Sequence, residues 1–271
     1  MTAGRLVERA PGVLVATSDM WMTNTTVVVA GSRCLVIDAG LLPGELRALE
    51  DELAARGLRV EAGFSTHAHW DHVLWSAGLG DAPRFATRKT LDTLTRSRQT
   101  MVDDQIRGAG GRWYARWDAE LVARLTEIPG DGREVPWSGP TAVLIEHDGH
   151  VRGHSAVHFP DLGVLAAADM LSDVEVPGLD WEQPDQPASY RAGLDRLAAI
   201  EGVRLMIPGH GRVGDGEALR TRIEADRRYV EALVDGRAID DARLTGWPPM
   251  VQQHEANVEG MKKLGAGGPN V

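Results

Sequence analysis

Two kinds of hydrophobic pattern take turns along the chain, and their order sets the expected architecture. Short Val- and Ile-rich runs at Gly12–Thr17 (GVLVAT), Thr25–Ala30 (TTVVVA) and Arg33–Asp38 (RCLVID) predict strands. The last two are joined as a hairpin through Ala30-Gly31-Ser32. Pro43 then opens a segment whose Leu46, Leu49 and Leu53 recur at helical spacing, with Gly57 as its stop. Leu58–Ser65 returns as a strand. Residues 88–130 lack strand alternation and carry many Arg and Asp residues with Trp113, Tyr114 and Trp117, so helices are expected there. Strand character resumes at Thr141–His147, Ser155–Phe159 and Gly163–Ala168. A helix over Pro187–Ile200, a strand at Val203–Ile207 and a helix over Glu217–Val234 follow.

Strands thus occur in both halves, and no Pro- or Ser-rich linker divides them. The pattern predicts an α/β chain in one domain over residues 1–271 around a two-sheet core. A helical insert is expected at about 88–135 and a C-terminal helical segment at about 216–264.

Composition narrows the partners. A hydrophobic share of 43% with 25% charged residues suits a folded chain rather than a disordered one. The formal net charge of −10 argues against nucleic acid and anionic membranes, both of which attract clustered Lys and Arg. A small-molecule substrate is the expected partner, and the oligomeric state is left open. Met1–Gly12 lacks the apolar core of a signal peptide, and no stretch approaches the roughly 18–20 apolar residues of a membrane span, so a cytoplasmic location is expected. A single cysteine, Cys34, excludes an internal disulfide framework.

The nine histidines change the picture most, because three fall between positions 67 and 72. Thr66–His72 reads Thr-His-Ala-His-Trp-Asp-His. In an extended backbone His67 and His69 point to the same side. A sharp turn after them could aim Asp71 and His72 at a neighbouring point. These four candidate ligands exceed the need of one tetrahedral zinc once more distant ligands join, which suggests two metals. A solvated polar loop accounts for one histidine, but three with an aspartate at this spacing favour a metal site.

This segment resembles the His-X-His-X-Asp-His hallmark of the metallo-β-lactamase-fold superfamily. Gly149-His150-Val151-Arg152-Gly153-His154 resembles that family's Gly-His-Thr-X-Gly-His segment, with Val151 in place of the threonine. Gly163–Asp169 (GVLAAAD) resembles its strand ending in a metal-bridging aspartate, and Pro208-Gly209-His210-Gly211 its final Pro-Gly-His-Gly. Asp38-Ala39-Gly40 matches an early Asp-X-Gly turn. The matches run in the family's order from about Thr25 to Gly211.

The resemblance implies a four-layer αββα sandwich and two metal sites. His67, His69 and His150 would hold one ion and Asp71, His72 and His210 the other, with Asp169 bridging them. This is a glyoxalase II- and lactonase-like ligand set. Zinc is the expected metal, with iron or manganese as alternatives. Two ions roughly 3.5–4 Å apart would share a water and make it a hydroxide nucleophile near neutral pH. Asp71 has a second role in view, orienting that nucleophile. Asp38 and His154 are expected to support the ligands from behind, with packing an equal reading for His154, and His147 is a rival for the role of His150. Trp70, Trp113, Tyr114 and Trp117 are candidates for a substrate-pocket wall; anchoring the insert to the core is the equal alternative for the last three. His158 and His254 read as structural or surface residues.

Hydrolysis of a small ester, lactone or thioester is the expected activity. A glutathione thioesterase would carry a basic tail, whereas Gly216–Leu264 mixes acid and base. An iron-dependent, sulfur dioxygenase-like enzyme and a phosphodiesterase are the alternatives on the same fold.

Overall fold

A computed structural model describes residues 4–40, 42–108 and 121–266, with the backbone alone for 99–108 and 265–266. The first half of the chain builds a seven-stranded sheet from β1 (Val7–Ala10), β2 (Val13–Thr17), β3 (Asn24–Ala30), β4 (Arg33–Ile37), β5 (Arg59–Phe64), β6 (Arg84–Ala86) and β7 (Thr126–Glu127), in that spatial order. The first four pair antiparallel, and β4 to β7 pair parallel. Helix α1 (Pro43–Ala55) is the crossover from β4 to β5, and α2 (Arg88–Gly108) follows β6.

The second half builds a four-stranded sheet from β8 (Val143–His147), β9 (His154–Phe159), β10 (Val164–Ala168) and β11 (Leu205–Pro208), ordered β11-β10-β9-β8. Only β10 and β11 are parallel, with α3 (Gln186–Ala198) between them in sequence. Helices α4 (Gly216–Val234), α5 (Arg243–Gly246) and α6 (Pro248–Ala266) complete the described chain. Among the described residues no helix is long and apolar enough to cross a membrane.

The alternation of each strand decides the layers. Val13, Val28, Leu35 and Phe64 of the large sheet meet Leu144, Val157, Phe159 and Ile207 of the small one in a core between the sheets. The opposite faces are covered in turn. Leu46, Leu49 and Leu53 of α1 pack on Val27, Cys34 and Val36. Tyr190 and Leu194 of α3, with Leu219, Ile223 and Tyr229 of α4, pack on Ala156, Leu165 and Met206. The result is the expected α/β sandwich of two sheets with helices on both outer faces.

Three strands were not expected. β1 is an exposed edge and β6 only three residues long, so neither shows alternation. The helices expected through residue 130 are corrected at Thr126–Glu127, where both side chains are exposed and the backbone instead closes the edge of the large sheet as β7.

The topology brings the carboxyl ends of the parallel neighbours β4 and β5, and of β10 and β11, to one rim. Loops at such ends are where open α/β sheets place their ligands. Asp38, His67, Asp169 and His210 each lie within three residues of one of these ends.

Candidate metal centre

The site is built from those rim loops. After β5, the Thr66 backbone N–H donates to Asp38 Oδ1 at 2.9 Å, which directs the chain into the histidine run. A single 3₁₀ turn over Trp70–His72 then buries Asp71 and His72. Trp70 stays half-buried and meets Trp21 edge-on, with ring centroids 5.5 Å apart.

Each imidazole is oriented by what its outer nitrogen meets. Thr66 Oγ1 donates to the acceptor-only carboxylate of Asp38 at 2.7 Å, so it must accept from His67 Nδ1, 3.0 Å away. His72 Nδ1 donates to Asp38 Oδ2 at 2.9 Å, His150 Nδ1 to the Gly178 carbonyl at 3.0 Å, and His210 Nδ1 to the Trp21 carbonyl at 3.0 Å. All four rings therefore carry a proton on Nδ1 and turn Nε2 inward, the nitrogen that offers a lone pair when a cation takes the place of its proton.

Those inward nitrogens converge. His69 Nδ1 lies 3.0 Å from both His67 Nε2 and His150 Nε2. Asp169 Oδ2 lies 3.4 Å from His67 Nε2, 3.6 Å from His150 Nε2 and 3.2 Å from His210 Nε2, while its Oδ1 is 3.1 Å from His72 Nε2. Asp71 Oδ2 is 3.4 Å from His72 Nε2 and 3.3 Å from His210 Nε2. Two groups result, His67/His69/His150/Asp169 and Asp71/His72/His210, each with its ligand atoms within 4.8 Å of one another.

The donor set fits divalent ions. Ligands bound at about 2.0–2.1 Å to a tetrahedral ion stand about 3.3 Å apart, the spacing seen here. Buried His72 Nε2 and Asp169 Oδ1, though 3.1 Å apart, are not aligned for a hydrogen bond and have no other hydrogen-bond partner among the described residues, a cost that a cation bound by both would remove. Electrostatics agree. Burial lowers His67, His69 and His150, the last to about 3; the charge of His72 adds to it at His67 and that of His69 at His150, whereas Asp71 and Asp169 oppose it at His69. Burial opposes the charge on His72 and His210, but the Asp169 carboxylate leads several neighbours in raising both well above the usual histidine range. Burial is likewise outweighed at Asp71 and Asp169, whose histidine neighbours hold both well below the carboxylate range. Protons thus stand where the charge balance asks for a cation.

Residues expected behind the ligands are placed as follows. Asp38 touches Thr66 and His72, as above. His154 Nε2 accepts the Asp169 backbone N–H at 3.1 Å. His147 lies behind His154, 3.3 Å from its Nδ1 and outside both ligand groups. His254 is half-buried and bonded to the Tyr229 hydroxyl at 3.0 Å. Trp113, Tyr114 and Trp117 lie outside the described residues. Sequence reasoning missed Thr66, the Gly178 and Trp21 carbonyls and Glu175, whose carboxylate stands 3.6 Å from His210 Nδ1 and is pushed up to about 7 by burial. A cavity of about 120 Å³ opens beside His150 and Asp169, walled by Glu175, Tyr190 and, from α6, Met250 and Gln253.

Ala168 has φ 50° and Trp21 φ 57°, left-handed for non-glycine residues; the first precedes Asp169 and the second touches His210 through its carbonyl. Glycine is required at position 209, where a Cβ would overlap Asp169 Oδ1 and come within 2.8 Å of the Ala168 carbonyl carbon.

Comparison with known proteins agrees with this geometry. The family model of the metallo-beta-lactamase superfamily matches residues 19–210. Hydroxyacylglutathione hydrolase of Ruegeria pomeroyi is 27% identical over 204 residues, covering 75% of this chain and 68% of that protein. The enzyme of the same name from Aeromonas hydrophila is 26% identical over 220 residues, covering 81% and 72%. The crystal structure of a beta-lactamase domain protein from Burkholderia ambifaria is similar in fold, with a TM-score of 0.64 at 22% identity over 86% of this chain and 75% of that one.

Proposed function

The chain belongs to the metallo-β-lactamase superfamily and is a hydrolase of that fold, and from this premise we propose that it cleaves a small ester, lactone or thioester at a dinuclear metal centre. The thioester is favoured, because the relatives are named for hydrolysis of a glutathione conjugate. His67, His69 and His150 would hold one ion, Asp71, His72 and His210 the other, and Asp169 both. The observation that carries this reading is the contact of Asp169 with both groups, 3.4 Å from His67 and 3.1 Å from His72. Imidazole and carboxylate donors suit zinc.

Two bound ions would polarise the scissile carbonyl and lower the pKa of the attacking water. The protein's part is geometric. Asp38, Thr66 and the Gly178 and Trp21 carbonyls hold four imidazoles in their ligating tautomer. Asp71, flanked by His72 and His210, would orient the attacking water. The cavity beside His150 has room for a small substrate group, and Trp70 offers an apolar surface nearby. A cysteine nucleophile has no part, since Cys34 is fully buried in β4 and its thiol is pushed up to about 12.

The test is metal analysis of the purified protein with a panel of thioesters, esters and lactones. Two zinc ions per chain and chelator-sensitive hydrolysis lost in Asp169→Ala are expected. One iron per chain, or unchanged turnover in Asp169→Ala, would overturn the proposal.

A further inference from the structure

Arg243 begins α5, far along the chain from the rim loops, yet its side chain is only 7% exposed. Its nitrogens are all engaged. Nε and Nη2 grip the two oxygens of Asp241 at 3.0 and 2.7 Å. Nη1 shares its two N–H groups among Asp226 Oδ1 at 2.6 Å and the carbonyls of Ser172 and Glu175 at 3.1 and 3.0 Å. Asp226, from α4, accepts from the Tyr190 hydroxyl at 2.9 Å and from the Leu171 backbone N–H at 3.4 Å. The segment after β10 is thus held at Leu171, Ser172 and Glu175 by side chains of the C-terminal half.

That segment serves the metal centre at three points. It starts at Asp169, it carries Glu175 beside His210, and it ends at Gly178, whose carbonyl fixes His150. Leu171 has φ 63°, a backbone state that persists in a non-glycine residue only where its surroundings over-determine it. A buried ion pair is a poor stabiliser in itself, often replaceable by apolar residues at no cost. The carbonyl contacts are what an apolar replacement could not supply.

We infer that Arg243, aligned by Asp226 and Asp241, is a positioning residue of the metal centre: it fixes the Ser172–Glu175 turn, and through it Asp169 and His150. The inference rests on the metal reading above. Lysine keeps the charge but cannot grip Asp241 at two points while reaching Asp226 and two carbonyls.

The experiment compares wild type, Arg243→Lys, Tyr190→Phe and Leu53→Ala, the last on the buried side of α1 at the far face of the sandwich. Zinc affinity is read by competition with a chromophoric chelator, ligand geometry by the visible spectrum of the cobalt(II)-loaded protein, and stability by thermal melting. Arg243→Lys should bind zinc about 10–100-fold more weakly with an altered cobalt spectrum, as loss of a ligand-supporting contact does. Tyr190→Phe should show a smaller loss of the same sign, and it decides the matter if Arg243→Lys does not fold. Leu53→Ala should melt earlier with affinity and spectrum unchanged. Wild-type affinity in both network variants would overturn the inference, as would equal weakening in Leu53→Ala, which would reduce it to general stability. A wild-type protein that binds neither metal would remove the metal reading itself and this inference with it, a pattern distinct from a failure confined to the variants.

Discussion

Replacing Asp38 by Asn tests the tautomer argument with little else disturbed. Position 38 has φ 51°, which Asn tolerates, so the backbone is not strained by the change. In the wild type the carboxylate accepts from Thr66 N, Thr66 Oγ1 and His72 Nδ1 at 2.9, 2.7 and 2.9 Å. With the amide oxygen kept on Thr66 N, the amide nitrogen faces the Thr66 hydroxyl and His72. The hydroxyl can rotate to accept, but His72 must move its proton to Nε2, the atom now turned toward Asp169 and Asp71. The ring then donates where a ligand must offer a lone pair. The lost charge-assisted bond costs about 1.5–3 kcal/mol of stability, or roughly 3–12 °C in melting temperature for a chain of this size. Loss of support behind a ligand costs about 10–100-fold in metal affinity, equivalent to about 1.4–2.7 kcal/mol. In a two-step chelator competition, the weaker step should belong to the Asp71/His72/His210 group while the three-histidine group is spared. Two ions held with wild-type affinity in Asp38→Asn would refute the reasoning.

Two further outcomes follow from burial. Cys34 should resist thiol reagents at pH 8 in the native protein and react only on unfolding, because its thiol is buried and pushed up to about 12; rapid native labelling would contradict this. Burial, with Arg196 adding to it, lowers His147 to about 4, so the folded protein binds fewer protons than the unfolded one between about 6.5 and 4. Stability from this residue is full above the unfolded value and is lost as pH falls toward 4, by up to about 3 kcal/mol. Urea unfolding of the metal-free protein at pH 7.5 and 4.5 should show a smaller acid loss in His147→Gln than in wild type, and equal losses would contradict the account.

The parts of the site legible in the sequence are those whose chemistry is local. His67, His69, Asp71 and His72 announce themselves by spacing, because a strand end and one tight turn suffice to aim them. His150, Asp169 and His210 are each unremarkable alone and become candidates only through their order along the chain. What stayed hidden was either backbone or long-range. The Gly178 and Trp21 carbonyls that orient His150 and His210 carry no side-chain signature at all. Arg243 reads as an ordinary helix cation until folding sets it against Asp226, Tyr190 and the Ser172 carbonyl. The same holds for the fold: β2, β3 and β4 are buried along nearly their whole length and show it as runs of apolar residues, whereas Thr126–Glu127 joins the sheet through backbone hydrogen bonds while both side chains stay exposed.

The convergence of inward-facing nitrogens has a consequence for the economy of folding. His67, His69, Asp71 and His72 follow a strand of the large sheet, and His150, Asp169 and His210 adjoin strands of the small one, so the rim where they meet is the seam between the two halves of the chain. Bound cations would act there as rivets across that seam, and native-state binding at a hundred times the dissociation constant adds about 2.7 kcal/mol per ion. Both ions would act across the seam, since Asp169 touches both groups. Catalytic competence and structural integrity would then rise and fall together with the free metal concentration, making metal supply a control on how long the folded chain survives as well as on how fast it works.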